Sequence, residues 1–597
     1  MQAIKESRLS RPFDLPDTIT APRTDPIYNC HAYLTKVPIQ GIRPFLEAFS
    51  RPGDVVVDFF AGSGMTGLAA LSAGRNAKLS DISALGQHIA NGYLQNVSAN
   101  DLRAAGERAM LRARKAIGNL YTTKRASDGE VQEMIRTVWS FTYICPTCNA
   151  EIIFYDLLEK KGSAVQKCLA CATKFSKRQW KQSKDVPITV VVNGEHGRQV
   201  NQPVSDIDMN AIKLGASDSR LAQVPSLEIK PDREKYSRSG LGKRGLTQTS
   251  MFFSPRNAIA LLELWRAINA EQDVRVRRKL RFAFTAILPR ASRRYQWSAQ
   301  RPLNAQNQTY YIAPVYYEWN VFDLYNRKIN AAIAATDELY GSQNTACDSR
   351  ITVTYELASA DNLQHLADES VDYVFTDPPF GSNIFYSDMN LFHEAWLGAI
   401  TDHESEAVVH TTGKHRGGAE ARYERLLQKA FEEASRILKP GKFMSVVFGN
   451  SSGRIWGLVQ RALRNAGFKS VPVHVAILDK GQRSVKGLNS GSEGVVTVDL
   501  VLTVQKPAEN DTPERTSAPV PTDKEALIRD AIGSLSTEDV RNPSHLYARI
   551  LRDAIRKHLL LDDLHLGEVL IALRNAGFSI DRKTSALTVP SSEDAAA

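Results

Sequence analysis

An acidic residue, two prolines and an aromatic ring follow an apolar run in the second half of the chain. Residues 371–375 read as a buried strand, and Asp377, Pro378, Pro379 and Phe380 come one residue later. Proline has no N–H and a fixed φ, so Asp377 and the neighbouring carbonyls can point at a ligand instead of continuing a sheet. A hydrogen-bond acceptor beside a flat ring suits a planar amine. Taken alone, an ordinary strand followed by a Pro-Pro turn explains the same residues.

A glycine-containing loop between a strand and a helix offers a second place for chemistry. Residues 55–59 form an apolar run interrupted only by Asp58, which is typical of a parallel strand buried on both faces. The loop that follows consists of Phe60, Ala61, Gly62, Ser63 and Gly64. Its glycines let a ligand approach the backbone, and the helix N-terminus after them favours anionic groups.

The ligand of this loop is predicted to contain a nucleoside. Asp81 stands 17 residues after Gly64, at the end of the next predicted strand, where a ribose hydroxyl would be bound. Met65 and Thr66 occupy the positions at which a phosphate-binding loop carries Lys and Ser or Thr, which argues against a nucleoside triphosphate.

Four of the six cysteines form two close pairs. Cys145 and Cys148 are separated by two residues, as are Cys168 and Cys171, and 19 residues lie between the pairs. This spacing predicts a zinc ribbon, because two such pairs supply a closed tetrahedron of thiolates. With no open coordination position, the zinc is expected to be structural.

Positive charge is concentrated between residues 230 and 301. This segment holds 17 Lys or Arg against 5 Asp or Glu, a net charge of +12, whereas the whole chain carries +10. Such a concentration is expected of phosphate contacts, although the wet face of a helix explains part of it. One group interleaves rings with guanidinium groups and is predicted to contact nucleic acid: Arg290, Arg293, Arg294, Tyr295, Trp297 and Arg301.

Composition indicates an ordinary globular protein of two to four domains. Of 597 residues, 43% are apolar and 23% are charged, and no apolar run approaches the ~18 residues of a membrane span. Paired cysteines suited to a metal, and no N-terminal apolar region, lead us to expect a cytoplasmic protein without membrane contact.

The pattern of elements predicts an α/β fold with a doubly wound, mostly parallel sheet that a large insert interrupts. Strand and helix signals alternate before residue 120 and again after residue 350. The predicted domain with the doubly wound sheet has two halves, residues 1–120 and 351–507. Between them lie a zinc ribbon at 121–185 and a basic recognition insert at 186–350. A linker at 508–523 and a small helical domain at 524–597 follow.

The glycine loop and the Asp-Pro-Pro-Phe turn, in this order and strand context, resemble the amino-group DNA methyltransferases, which make N6-methyladenine or N4-methylcytosine. The resemblance implies a Rossmann-like fold and S-adenosylmethionine as cofactor. It places Asp58 and Thr66 in the cofactor-loop motif, and Phe60 to Gly64 around the methionine end of the cofactor. It also implies that Asp81 binds the ribose and that Asp361 lies near the adenine ring. Thr35 and Lys36 resemble the family's N-terminal cofactor segment.

The sequence therefore predicts transfer of a methyl group to an exocyclic amine in double-stranded DNA, with adenine N6 favoured by the Asp at the start of the turn. Two enzymatic alternatives stay open: N4-cytosine methylation, and RNA guanine-N2 methylation, because similar RNA enzymes share Asp-Pro-Pro-Phe. The non-enzymatic alternative is a zinc-ribbon DNA-binding protein on an inactive scaffold. A cognate restriction or defence component is a further expected partner.

Overall fold

The computed structural model describes most of the chain. The described residues are 15–21, 24–159, 166–177, 179–298, 309–341, 351–382, 384–412, 416–480, 496–509, 511, 519–521, 523–535, 543–580 and 587–588. Within these ranges, no helix is both long enough and apolar enough to cross a membrane.

The first part of the chain alternates strands and helices. Its strands are β1 (Thr18–Thr20), β2 (Val55–Asp58) and β3 (Asn76–Asp81), and its helices are α1 (Pro26–Cys30), α2 (Ile39–Phe49), α3 (Met65–Ser72), α4 (Ala84–Tyr93) and α5 (Ala99–Ile117). The sequence predicts a long helical stretch from about residue 85 to 117, and the structure divides it into α4 and α5. The Ser98 hydroxyl accepts a hydrogen bond from the Asp101 amide at 3.1 Å, so a side-chain cap starts a new helix there.

The insert builds a separate antiparallel sheet surrounded by helices. Its strands are β4 (Thr122–Lys124), β5 (Val131–Glu133), β6 (Arg136–Ile144), β7 (Glu151–Ile153), β8 (Lys181–Asn193), β9 (Gln199–Pro203) and β10 (Val315–Trp319). Its helices are α6 (Phe154–Glu159), α7 (Asp206–Ala216), α8 (Glu234–Arg238), α9 (Leu241–Arg244), α10 (Pro255–Asn269), α11 (Val274–Ala291) and α12 (Val321–Tyr340). The sheet order is β10-β6-β8-β9, with β7 paired to β6. Because α10 and α12 pack on α5, the insert is joined to the first part by a shared helical layer.

Alternation resumes after the insert. The strands are β11 (Val353–Leu357), β12 (Val371–Thr376), β13 (Leu438–Phe448), β14 (His474–Asp479) and β15 (Asp499–Gln505), and the helices are α13 (Tyr386–Leu397), α14 (Ala419–Ile437) and α15 (Gly453–Asn465). The C-terminal residues form α16 (Lys524–Gly533), α17 (Pro543–Arg556), α18 (Leu566–Asn575), β16 (Ser579–Ile580) and β17 (Leu587–Thr588).

Strands from both parts form one eight-stranded sheet in the order β1-β14-β15-β13-β12-β2-β3-β11. Only β15 runs antiparallel to its neighbours in this sheet, and the other pairs are parallel. Strands β2 and β12 are neighbours. From β2 the order continues to β3 on one side, and from β12 it continues to β13 on the other. The order therefore reverses between β2 and β12, and a crevice opens beyond the carboxyl ends of strands at such a point.

The two faces of the sheet bury different layers. Val56 of β2 belongs to the core shared with the insert, whereas Val57 belongs to the core shared with α14, α15 and the C-terminal helices. The connection between α17 and α18 packs closely on α15. A side chain at Gly457 would overlap the Asp562 carboxylate, and Arg461 donates to Asp562 at 3.0 Å.

Candidate active site

A cavity opens where the strand order reverses, at the carboxyl ends of β2, β3 and β12. The space between its walls, including the part open to solvent, is about 880 Å³. Residues predicted from sequence that line it are Thr35, Lys36, Asp58, Phe60, Ala61, Gly62, Ser63, Thr66, Asp81, Asp377 and Pro379. The fold therefore brings together residues that are more than 300 positions apart in the sequence.

Asp58 ties three elements together at the end of β2. Its carboxylate accepts hydrogen bonds from the Thr66 hydroxyl at 2.6 Å, the Thr376 hydroxyl at 2.9 Å and the Phe60 amide at 3.1 Å. Burial raises the pKa of Asp58 to about 7, against the effect of these hydrogen bonds. Asp58 thus positions the start of the glycine loop and of α3 against the end of β12.

Asp81 holds the glycine loop from the neighbouring strand. Its carboxylate accepts hydrogen bonds from the Gly62 amide at 2.8 Å and from the Ser83 amide at 2.9 Å. Burial raises the pKa of this carboxyl group. Each oxygen keeps a second acceptor position, so Asp81 can also bind a hydroxyl group in the cavity.

Glycine is required at two close approaches in this region. Gly64 has φ +80°, and a β-carbon there would lie 2.6 Å from Cβ of Ala90. A β-carbon on Gly86 in α4 would lie 2.3 Å from the Gly62 carbonyl oxygen. Contacts this short let α4 pack directly under the loop, which fixes the loop backbone against the cavity. Gly64 itself supports the loop from below rather than lining the cavity.

Asp377 faces the same cavity from the end of β12. Burial raises its pKa to about 7, with Asp499 and Asp58 adding to the rise and Lys480 opposing it. Lys480 forms a buried ion pair with Asp499. A carboxyl group poised near neutral pH is suited to accept a proton or a hydrogen bond from a substrate.

The turn after Asp377 is fixed on both sides. The Tyr423 hydroxyl donates to the Pro379 carbonyl at 2.6 Å, and the Asn450 amide donates to the Phe380 carbonyl at 2.9 Å. The Phe380 ring packs edge-on against Phe448, with ring centroids 5.1 Å apart. Pro378 is buried, and neither it nor the half-buried Phe380 lines the cavity, so the predicted stacking ring lies beside the cavity wall.

The N-terminal segment closes another side of the cavity. The Thr35 hydroxyl lies 2.7 Å from the Tyr386 hydroxyl. Lys36 lines the cavity as well, but its ammonium group donates to the carbonyls of Tyr28 and His31. Burial lowers the pKa of Lys36 to about 7. The Lys36 side chain therefore fastens its own segment rather than presenting a charge to the cavity.

Asp361 lies at the margin of the site. Ser359 and Ala360 line the cavity, and Asp361 follows them in the turn after β11, partly exposed.

Sequence reasoning missed several polar residues that line the cavity, among them Tyr386, Asn390 and Glu406. Glu406 accepts hydrogen bonds from the Tyr386 amide at 2.5 Å and from the Ser387 amide at 3.3 Å, and burial raises its pKa to about 7. Tyr386 and Asn390 follow the Asp-Pro-Pro-Phe turn at helical spacing, which was a usable signal. Glu406 lies in an irregular segment and had none.

Residues 10–99 match the family model for N6/N4 methyltransferases, whose description is DNA methylase. The match covers 90 of the 597 residues and relates this segment to the DNA methylases. The matched residues contain the glycine loop and Asp81 but end long before Asp377, so the placement of the acidic turn in the same cavity is an independent observation.

The other comparisons add little. Among solved structures, a candidate DNA modification methylase from Thermus thermophilus is 17% identical, with 32% of this chain and 81% of that chain covered and a TM-score of 0.16. A similarity this low supports no argument about the site. No curated protein matches the chain significantly.

The chain also contains a cluster of four cysteines in the insert. The sulfur atoms of Cys145, Cys148, Cys168 and Cys171 all lie within 4.8 Å of one another. Two of these distances are 3.6 Å, between Cys145 and Cys171, and 3.7 Å, between Cys148 and Cys168. Tetrahedral Zn–S bonds of ~2.3 Å place the sulfurs ~3.8 Å apart, so the cluster fits a zinc ion.

The structure corrects the predicted nucleic-acid group. Arg294 is 2% exposed and stacks on Phe392 and Tyr310, at 4.9 and 5.4 Å from the ring centroids. Tyr295 is 5% exposed and packs against Trp319. Both residues belong to the core because aromatic rings from other segments pack on them, and neither presents a surface to DNA.

The other members of the predicted nucleic-acid group differ in their exposure and contacts. Arg293 donates to Asp185 at 2.9 Å and to the Met251 carbonyl, and Trp297 is partly buried against Tyr155. Arg290 is exposed. Arg301 lies outside the described residues.

Some of the positively charged side chains in residues 230–301 are buried in the core. Arg256 forms a buried ion pair with Glu318 of β10, and Lys279 is fully buried beside the Tyr93 carbonyl at 3.4 Å. Net charge read from sequence therefore overstates the basic surface.

Proposed function

We propose that this protein transfers a methyl group from S-adenosylmethionine to an exocyclic amine of a base in DNA, with adenine N6 as the preferred target. One observation carries the proposal. The glycine loop with Asp81 and the acidic turn with Asp377 line one cavity at the point where the strand order reverses.

The cofactor half of the cavity is assigned to the first part of the chain. Asp81 would accept the ribose hydroxyls, and the turn at Ser359–Asp361 would border the adenine ring. Phe60 to Gly64 and Thr35 would surround the methionine end, held in shape by Asp58. S-adenosylmethionine supplies an electrophilic methyl group on a sulfonium. This use of the strand ends corresponds to a Rossmann-like methyltransferase fold.

The target half is assigned to the residues after β12. An exocyclic amine conjugated to its ring is a weak nucleophile, and its lone pair must be directed at the methyl group. The Asp377 carboxylate and the Pro378 carbonyl would accept the two N–H groups and orient the nitrogen. Asp377 would also stabilise the positive charge that develops there. This role requires the ionised carboxylate.

A base in a duplex cannot reach this cavity while it is stacked, so the proposal includes base flipping. Phe380, beside the cavity wall, is assigned the stacking contact with the flipped base. We further propose that residues 121–185 are a zinc ribbon with a structural Zn²⁺ and that residues 186–350 recognise DNA. Residues 1–120 and 351–507 would form the catalytic domain, 508–523 a linker and 524–597 a helical domain.

The decisive experiment offers methyl-labelled S-adenosylmethionine to the protein with duplex DNA, with single-stranded DNA and with ribosomal RNA. Label on adenine N6 of duplex DNA is expected. Label on cytosine N4 or on guanine N2 of RNA would change the assigned target base but would still support methyl transfer to an exocyclic amine.

Two variants separate catalysis from binding. Asp377→Asn should abolish labelling while DNA binding, measured by fluorescence anisotropy, is retained. Asp368→Asn is the matched control, because Asp368 is an exposed carboxylate that pairs with Arg436 far from the cavity. If the wild-type protein labels no substrate but binds DNA, the scaffold acts only in binding and the enzymatic proposal is wrong. If Asp377→Asn labels DNA at the wild-type rate, the role assigned to Asp377 is wrong.

A further inference from the structure

A short segment of the insert contacts the wall of the cavity from outside. It consists of residues 233–238, that is α8 and the residue before it, and is called the brace below. Arg233, Glu234 and Lys235 are all buried, although charged side chains are rarely buried without partners. Their partners are therefore informative about what the segment does.

Glu234 binds the irregular segment that follows α13. Its carboxylate accepts hydrogen bonds from the amides of Thr411 and Thr412 at 2.6 and 2.7 Å, and from the Thr412 hydroxyl at 2.7 Å. His410 lies 3.6 Å away on the same side. Burial opposes ionisation of Glu234, but the hydrogen bonds from His410 and the two threonines outweigh it and hold its pKa at about 2. Glu234 is thus a fixed anion around which this backbone is folded.

The rest of the brace binds the start of α13. Asp388 accepts hydrogen bonds from the Arg233 guanidinium at 3.2 Å and from the Lys235 amide at 2.8 Å. The Arg238 guanidinium lies 4.8 Å from the centroid of the buried Phe385 ring, and it also bonds the Thr411 hydroxyl.

These contacts enclose the residues that line the target half of the cavity. Phe385 and Asp388 flank Tyr386 and Ser387, which line it. The second contacted segment follows Glu406, whose carboxylate caps the first turn of α13.

The same wall is connected to the acidic turn. The Val409 amide donates to the carbonyl of Gly381, the residue immediately after Phe380, at 3.2 Å. A continuous set of contacts therefore runs from the insert, through residues 409–412, to the turn that carries Asp377.

We propose that the brace is a positioning element: through Glu234, Arg233 and Arg238 it holds residues 384–412 in the geometry that the target amine needs. The inference rests on the proposed function for its kinetic consequence, but not for its structural one. A positioning element that belongs to the insert also gives the insert a direct mechanical connection to the catalytic turn.

The first test is hydrogen–deuterium exchange on the full-length protein without substrate. In Glu234→Ala, amides within residues 384–412 should exchange faster, while those of the glycine loop stay unchanged. Glu263→Ala is the matched control, because Glu263 is also a largely buried glutamate of the insert, paired with Arg220 and Arg266 away from the cavity. Unchanged exchange in residues 384–412 would overturn the inference, whether or not the protein is a methyltransferase.

The second test is kinetic. Glu234→Ala is expected to lower kcat on the order of 10²-fold, because misplacement of about 1 Å has this effect, with the Kd for S-adenosylmethionine within about twofold of wild type. Glu234→Gln keeps one acceptor oxygen and should recover part of the loss. A variant with wild-type kcat, or one whose Kd for S-adenosylmethionine rises as much as kcat falls, would contradict positioning of the target half.

The third test covers failure to fold. Arg238→Ala removes a side chain that is about one-third exposed, so it perturbs folding less than the loss of Glu234. It should reproduce the faster exchange and the lower kcat in milder form. If the wild-type protein methylates no substrate, the proposed function fails, and the exchange experiment still decides whether the brace holds the wall.

Discussion

The hydroxyl of Thr376 donates a 2.9 Å hydrogen bond to the carboxylate of Asp58, between the adjacent strands β12 and β2. The two residues are 318 positions apart. Asp58 begins the glycine loop and Thr376 precedes the acidic turn. One buried hydrogen bond thus joins the two halves of the cavity, beside the backbone pairing of β2 with β12.

Replacing Thr376 with valine should remove the hydrogen bond to Asp58 while nearly keeping the shape of the side chain. We expect a loss of about 1 kcal/mol in the free energy of unfolding, the usual contribution of one hydrogen bond, together with a lower kcat. Denaturant unfolding and single-turnover methylation measure the two effects.

Thr503→Val is the control, because Thr503 is another buried hydroxyl of the sheet, 2.7 Å from Ser445 and away from the cavity. It should lose similar stability and keep its activity. Equal kcat in both variants would show that the Asp58–Thr376 contact serves only the fold.

Methylation should depend on pH through Asp377. Its pKa is about 7, and in the proposed function the ionised form accepts the amine hydrogen bonds. The single-turnover rate should therefore rise about tenfold per pH unit below pH 7 and level off above it. A rate that stays constant from pH 5.5 to pH 8.5 would exclude this carboxylate as the acceptor.

The raised pKa of Asp377 makes the folded protein more stable at low pH, where the expected methylation rate is lowest. Because the folded-state pKa of Asp377 is raised above its unfolded value, protonation favours the folded protein. Its contribution is complete below about pH 4 and is lost as the pH rises through about 7. The pH of highest activity should thus lie above the pH at which Asp377 contributes most to stability. Comparing Asp377→Asn with wild type by thermal unfolding at several pH values measures this contribution.

Gly64→Ala should damage cofactor binding more than backbone conformation alone explains. Its β-carbon would lie 2.6 Å from Ala90, so α4 or the loop must move. Gly53→Ala is a matched control, since Gly53 also has a positive φ of +87° but has no atom within 4 Å of the added carbon. Gly53→Ala should therefore report the conformational cost alone, ~1 kcal/mol, in thermal unfolding.

Isothermal titration with S-adenosylmethionine completes that comparison. Gly64→Ala should bind more weakly than wild type, whereas Gly53→Ala should bind as wild type does. Equal affinities in the two variants would mean that the loop tolerates displacement by α4.

The sequence predicts those parts of the site whose backbone geometry is determined by neighbouring residues in the chain. The apolar run before Asp58, the glycines of the loop and the Pro-Pro turn each fix backbone geometry through their own residues. Parallel strands then bring their carboxyl ends to one edge, which is why residues from both parts of the chain were expected together.

What sequence could not predict depends on long-range partners. Arg294 was expected on a DNA-facing surface, yet aromatic rings from distant segments stack on it and bury it. Glu406 reaches the cavity only because the start of α13 needs a cap, and Glu234 reaches the wall because the insert folds back on it. Neither carboxylate stands in a local motif.

The cysteine cluster yields the last prediction. Four thiolates with the spacing of a tetrahedral zinc site should bind one Zn²⁺ per chain. Cys148→Ser should reduce bound zinc, measured by atomic emission, and lower the thermal stability of the insert. Cys347→Ser, at a cysteine outside the two pairs, should keep the full metal content. Because the predicted zinc has no open coordination position, a Cys148→Ser protein that remains folded should still bind S-adenosylmethionine with wild-type affinity. Loss of cofactor binding at wild-type stability would instead place the metal in the active site.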